Sequence, residues 1–394
     1  MDRVTVLGAG LAGVSAAGRL RELGYDGRLT LVGGEDRPPY DRPPLSKDLL
    51  LGTKGPDAIA LRPPGWYDDN AIELRLGEPA SELVVGDDEV VLLATGGVPR
   101  RLPVPGADHP AVTTLRTVAD AEALSARLLP GARVGVVGAG LIGSEVAAAA
   151  VARGCAVTLL DPAARPLERV VGPEVAEVLH AQHRRHGVDL VLGAVSEVED
   201  RGAGVRLRLA DGASVDCDVV VVGIGIEPEV ALAAAAGLAV DRGVLVDEAQ
   251  RTSHPRVFAA GDVARPLDRP ATEHWDAAVR EGRAAAEAML GREPVRGTPW
   301  FWSDRYGTRV EVVGELPGGP SVVRGSLGGS FVAFALRDGA VVGAVAVDRG
   351  ADMPAVRRLV ERGVVVSPDL LADESADLRG LVRAGQGVNN RHRQ

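Results

Sequence analysis

The chain has 394 residues, 46% of them hydrophobic and 25% charged, enough apolar material for two or three packed domains. A formal net charge of −10 argues against a nucleic-acid binder, and no charge-free apolar run approaches the ~18 residues of a membrane span. The only two cysteines, Cys155 and Cys217, lie far apart, which excludes a CxxC redox pair, a zinc cluster or an iron–sulfur cluster of the chain's own thiolates; no metal site is expected, and any electrons must pass through a bound organic cofactor.

Met1-Asp2-Arg3 leads directly into an apolar strand, Val4 to Leu7, with no signal-peptide pattern, so a cytoplasmic protein is expected. A glycine turn follows, Gly8-Ala9-Gly10-Leu11-Ala12-Gly13, and opens an Ala-rich helix. In such a turn the first glycine permits the tight bend, the second lets backbone approach a pyrophosphate, and the third lets helix pack on strand. The next strand, Leu29 to Val32, ends in Gly33-Gly34-Glu35, so glycine stands where the ribose-binding acid is usual and Glu35 becomes the candidate. The segment Arg37 to Lys47 is too rich in proline for helix or central strand and reads as a rigid surface loop. An apolar strand then ends in Ala94-Thr95-Gly96-Gly97, and a Pro-rich crossing, Pro99 to Pro105, reads as a linker.

The same design repeats. Val134 to Val137 runs into Gly138-Ala139-Gly140-Leu141-Ile142-Gly143, a helix, and the strand Ala156 to Leu160, closed by Asp161 at about the ~20-residue offset of a ribose ligand. A carboxylate there repels a 2′-phosphate, which favours NADH over NADPH. Two copies imply two bound dinucleotides and hydride traffic between them. This second unit ends in Val219 to Val222 and Gly223-Ile224-Gly225, whose glycines are candidates to border the second dinucleotide. Thr252 to Asp262 reads as a strand running into the turn Gly261-Asp262, and a helix is predicted from Asp276 to Leu290. From Trp300 the pattern changes to short alternating strands, Arg309 to Val313, Ser330 to Leu336 and Ala340 to Val347, with a last helix near Pro354 to Arg362 and a polar, disordered tail from Arg383 to Gln394. The fold class is therefore α/β, two Rossmann-like dinucleotide-binding domains plus a C-terminal α+β domain.

Together with the two glycine turns, Pro39 to Lys47 (PYDRPPLSK), Ala94 to Gly97, Glu145 after the second turn, the Thr252 to Asp262 stretch, Glu273-His274-Trp275, and Pro299 to Asp304 (PWFWSD) make the chain resemble the FAD-containing NADH:ferredoxin reductases of oxygenase systems, of the putidaredoxin-reductase and rubredoxin-reductase type. The resemblance covers almost the whole chain and implies a glutathione-reductase-like flavoprotein. Its FAD-binding domain would comprise residues 1–105 and 228–297, its NADH-binding domain 106–227, and its C-terminal domain 298–394. It implies that Gly8, Gly10, Leu11, Ala12, Gly13, Glu35, Arg42, Lys47, Ala94, Thr95, Gly96, Gly261 and Asp262 serve FAD. Gly138, Gly140, Leu141, Ile142, Gly143, Asp161, Gly223 and Gly225 would serve NADH. Lys47 and Glu145 would form an ion pair beside the flavin as the catalytic residues, with Glu273, His274, Trp275 and Trp302 also lining the cofactor site. The implied partner is an acidic [2Fe-2S] ferredoxin, with Arg305 and Arg309 as docking candidates, and a monomer or homodimer is expected. An NADH oxidase, or an NADH-sensing flavoprotein resembling apoptosis-inducing factor, remains the alternative; a disulfide reductase lacks its reactive cysteine. The chain departs from the pattern between Glu82 and Ala94, where a β-hairpin's worth of residues is missing, and at Glu229, where asparagine is common.

Overall fold

The computed structural model describes residues 2–295 and 297–389. It divides into two compact units, one of Met1–Pro44, Lys54–Pro99 and Ile226–Gly297, the other of Leu45–Thr53, Arg100–Gly225 and Thr298–Gln394.

The first unit is built on a parallel five-stranded sheet in the spatial order Val257–Ala259, Glu89–Leu93, Arg3–Leu7, Arg28–Val32, Ile72–Arg75. Strands buried on both faces need continuous apolar runs, and sequences such as Val91-Leu92-Leu93 supply them. On one face the helices Leu11–Glu22 and Trp275–Met289 pack through Ala16, Ala17, Leu20, Ala285 and Ala286 onto Val4, Val6, Leu29, Leu31 and Leu92. Leu20 is fully enclosed, so truncating it to alanine would cost about 2–5 kcal/mol. On the other face Leu7, Val91, Leu93 and Val257 bury against Val244, Val246 and Val263. The segment expected to lack a hairpin does lack one. Residues 78–86 carry no regular structure, and the chain enters Glu89–Leu93 just after the carbonyls of Gly86 and Asp87, which accept from the Arg256 guanidinium.

The second unit holds another parallel sheet, ordered Val112–Thr113, Val219–Val222, Arg133–Val137, Ala156–Asp161, Asp189–Leu192, with a three-stranded antiparallel layer, Val195–Asp200, Val205–Leu209 and Ser214–Cys217. It also holds an antiparallel sheet ordered Trp300–Arg305, Thr308–Gly314, Ala340–Val347, Phe331–Arg337, Val322–Gly325. Helix Met353–Glu361 covers one face of that sheet, through Val356 and Leu359 on Phe334 and Ala344. Helix Pro173–Arg185 covers the other, through Val175 and Leu179 on Phe301, Val312 and Val345. The C-terminal sheet thus shares a core with the helix that precedes strand Asp189–Leu192. A final helix, Leu378–Asn389, takes up the first part of the segment read as a disordered tail; residues 390–394 lie outside the described residues. No helix among the described residues is long and apolar enough to cross a membrane.

Candidate dinucleotide sites and the Lys47–Glu145 pair

In the first unit the chain leaves strand Arg3–Leu7 through Gly8, whose φ of +119° and whose closeness to Ala94 both demand glycine: a Cβ there would lie 2.1 Å from the Ala94 carbonyl oxygen. A Cβ on Gly13 would lie 2.0 Å from the Gly8 oxygen, whereas one on Gly10 would meet nothing within 4 Å. The third glycine therefore serves packing, and the second leaves room for a ligand. Helix Leu11–Glu22 begins at Gly10 with no side-chain cap and no acid in its first turn, so its leading N–H groups are directed at whatever occupies that room. Around it stand Thr95, whose hydroxyl donates to the Glu229 carbonyl (2.9 Å), and half-buried Asp262 after Gly261. Glu35 accepts from the Tyr40 hydroxyl at 2.7 Å. Trp275 donates its indole N–H to Asp41 (2.7 Å), Glu273 is exposed, and burial holds the His274 imidazole below its ordinary range. Arg42 is half-buried in the same unit.

The second unit repeats the construction. A Cβ on Gly143 would lie 1.9 Å from the Gly138 oxygen and one on Gly138 2.4 Å from the Gly223 oxygen, while Gly140 again faces open space. Helix Leu141–Ala152 starts at Gly140 without a side-chain cap, and Ile142 in its first turn is 44% exposed. Asp161, at the end of its strand, accepts from the backbone N–H groups of Ala139 and Ala163, each at 2.8 Å. Gly225 is exposed and its carbonyl accepts the Arg100 N–H at 3.0 Å.

Within this second unit, Lys47 Nζ lies 3.2 Å from Glu145 Oε1 and 3.1 Å from Asp304 Oδ2. Glu145 also accepts from the Ser303 hydroxyl at 2.6 Å and the Ser46 hydroxyl at 2.5 Å. Burial pushes its carboxyl above the usual carboxylate range, against the pull of Lys47 and the two serines. The loop read as a surface feature is therefore not one at its end: Leu45 and Ser46 are buried, because Pro43–Ser46 forms a short 3₁₀ turn that directs Ser46 at Glu145. Trp302 has Lys47 Nζ 5.5 Å and the Arg309 guanidinium 5.6 Å from its ring centroid and stacks on Trp300 at 4.9 Å, with Arg357 3.8 Å over the latter ring.

Arg305 corrects the sequence reading. Alternation along Trp300–Arg305 turns Phe301, Ser303 and Arg305 inward, leaving Arg305 2% exposed, with its Nη1 3.5 Å from His183 Nε2. Burial lowers its pKa to about 10, and its Nε and Nη2 reach no hydrogen-bond partner among the described residues. It cannot be a docking arginine; Arg309, exposed and paired with Asp304 at 3.4 Å, still can. Sequence reasoning also missed the donors and acceptors that hold the named residues: Tyr40, Asp41, Ser46, Ser303 and Asp304 all lie inside motifs it had singled out, whereas buried Glu281, which accepts the Gly261 N–H at 2.9 Å, carries no sequence signal. Both cysteines are free and buried, burial pushing the Cys217 thiol up to about 12.

Residues 2–282 match the pyridine nucleotide-disulphide oxidoreductase family, and residues 300–382 match the reductase C-terminal domain. The chain belongs to this family. Within it, the ferredoxin–NAD(+) reductase subunit of the benzene 1,2-dioxygenase system of Pseudomonas putida is 37% identical over 98% of this chain and 99% of its own length. The corresponding component of the biphenyl dioxygenase system of Paraburkholderia xenovorans is 38% identical over 98% and 99%. Rhodocoxin reductase of Rhodococcus erythropolis is 36% identical over 95% and 93%. Among solved structures, the putidaredoxin reductase of its covalent complex with putidaredoxin superposes with a TM-score of 0.91, at 36% identity over 98% of this chain and 99% of that one. Members of this family hold FAD and NAD(H), and the chain fits both: each glycine turn leaves open space at its second glycine, in front of an uncapped helix N-terminus.

Proposed function

We propose that the protein is an FAD-dependent NADH:ferredoxin reductase that serves an oxygenase, either a haem-thiolate monooxygenase or a ring-hydroxylating dioxygenase. The observation that carries this reading is the pair of uncapped glycine turns in one chain together with the buried Lys47–Glu145 pair. Residues 1–105 and 228–297 bind FAD, residues 106–227 bind NADH, and residues 298–394 complete the enzyme. Bound FAD supplies the conversion between the electron pair that NADH gives as hydride and the single electrons that an iron–sulfur cluster accepts. The chain's part is to bind and orient. Gly10 and Gly140 admit the two pyrophosphates to helix N-termini. The fixed carboxylate of Asp161 accepts ribose hydroxyls and rejects a 2′-phosphate. The Lys47 ammonium, steadied from two sides by Glu145 and Asp304, is a fixed positive charge that would favour a reduced, anionic flavin. The partner is an acidic [2Fe-2S] ferredoxin met by Arg309, the reductase acts in the cytoplasm as a monomer or homodimer, and neither nucleic acid nor membrane takes part.

Anaerobic stopped-flow mixing of the flavin-loaded protein with NADH, then with a [2Fe-2S] ferredoxin, tests the reading. Fast bleaching by NADH, slow bleaching by NADPH and rapid cluster reduction are expected. An Arg309→Glu variant should reduce ferredoxin roughly three- to tenfold more slowly at low salt while keeping its NADH–ferricyanide activity. Slow bleaching with a long-lived reduced complex would instead indicate an NADH sensor, and reduced flavin that yields only to oxygen an oxidase.

A further inference from the structure

Two glutamates on the inward face of helix Trp275–Met289 meet opposite fates. Glu287, 4% exposed, faces the Arg19 guanidinium at 2.6 Å and accepts the Val295 N–H at 2.9 Å. Glu281, 6% exposed, accepts the Gly261 N–H and has no cation within ion-pair distance among the described residues. One backbone donor does not offset the cost of burying a charged carboxylate, so the neutral acid is the form this position favours.

Glu281 sits where the first-unit ligand elements converge. A Cβ on its neighbour Gly282 would lie 2.2 Å from the Ala12 carbonyl oxygen, and one on Gly261 would lie 2.9 Å from Ala12 Cβ. The helix bearing Glu281 and the turn bearing Asp262 therefore both pack closely on Ala12, in the first turn of helix Leu11–Glu22. Few charges face Glu281. On its own helix, Arg280, paired with Asp276 at 2.7 Å, favours its ionisation. On the 260–274 segment, Arg269 favours its ionisation and Asp262 opposes it, while burial lowers the His274 imidazole's pKa. Leu11, Ala12, Gly13 and Val14 bring no charge. An ionised Glu281 would place a negative charge on the Gly261 N–H, in a turn that packs on Ala12 in the first turn of the helix whose N-terminus faces the pyrophosphate room.

On the reading of the first unit as the FAD site, we infer that Glu281 must be protonated for the dinucleotide to seat, so that wherever Glu281 is ionised in the free protein one proton is taken up with FAD. Glu281 is then a positioning residue: as the neutral acid it holds the Gly261-Asp262 turn without opposing the ligand's charge. In the form without ligand, burial has already pushed its carboxyl up to about 7, and the incoming dianion moves it in the same direction. Below that value affinity is independent of pH; above it, a proton must be recovered first, and the dissociation constant rises about tenfold per pH unit until the still higher value of the bound state is reached.

The test is release of FAD from the flavin-loaded full chain, diluted into buffers from about pH 6 to about pH 9 and followed by the recovery of free-flavin fluorescence. Wild type should show the flat region and then the rise. Glu281→Gln keeps an acceptor for the Gly261 N–H but cannot ionise; it should stay flat and hold FAD more tightly than wild type at the alkaline end. A flat wild-type profile, or a Gln variant with the wild-type slope, overturns the inference while leaving the FAD reading intact. A full chain that holds no flavin at any pH overturns the FAD reading itself.

Discussion

The two glycine turns share one backbone design and differ in what surrounds it. Strand register, Leu7 beside Val32 and Val137 beside Leu160, places Gly33 of the first turn where Asp161 stands in the second. In the second, the carboxylate is locked against Ala139 by a backbone hydrogen bond. In the first, a Cβ at Gly33 would already lie 2.9 Å from Ala9 Cβ, so the acid is displaced to Glu35 and pinned by Tyr40 instead. The first turn is also overlaid by the Gly261 turn and by helix Trp275–Met289, which meet it at Ala12, whereas the second has the Gly223–Gly225 segment beside Gly138 and a helix whose Ile142 stays exposed. The lesson is that the turn itself fixes only an anion site. On the proposed function, the heavier cover over the first turn would suit a resident FAD and the more open second turn a consumable NADH.

The largest expected effect breaks the symmetry directly. Gly10→Val and Gly140→Val each put a side chain into open space, so both variants should fold. Gly10→Val should emerge colourless, having lost flavin at least a hundredfold, and Gly140→Val should emerge yellow but unreduced by NADH at ordinary concentrations; absorbance at purification and a NADH titration separate them. Identical behaviour in the two variants would mean the turns are not divided between two dinucleotides. Gly143→Ala and Gly13→Ala should instead cost stability by overpacking, each about 1–3 kcal/mol in urea melts, because both would drive a Cβ to within 2.0 Å of a carbonyl oxygen. At the acid positions the effects are smaller. Asp161→Asn should lower the preference for NADH over NADPH roughly tenfold, measured as a ratio of kcat/KM, while Glu35→Gln should leave that ratio unchanged and weaken only FAD retention.

Much of this was legible from residues alone. The paired turns, their strands and the C-terminal run of alternating strands follow from apolar periodicity, and Asp161 from its offset. What the sequence hid was partnership across distance. The pattern of Trp300–Arg305 contains the alternation that buries Arg305, but a charged residue at an inward position looks like a surface residue until the helix Pro173–Arg185 is seen to cover it. Glu281 and Glu287 are indistinguishable as letters in an Ala-rich helix; only the approach of Arg19 to one and of Gly261 to the other separates them. The loop ending at Lys47 looked superficial because prolines speak of backbone and not of burial.

The connector before strand Glu89–Leu93 has a practical consequence. That strand takes both its sheet neighbours, Arg3–Leu7 and Val257–Ala259, from remote stretches of chain, so its place does not depend on how residues 78–86 reach it. Lengthening such a link raises the entropy of closure only as the logarithm of its length. Exposed Val84 therefore marks a grafting point, where a peptide epitope or a dye-bearing insert could be spliced in as a handle on the enzyme while the sheet beneath it keeps its register.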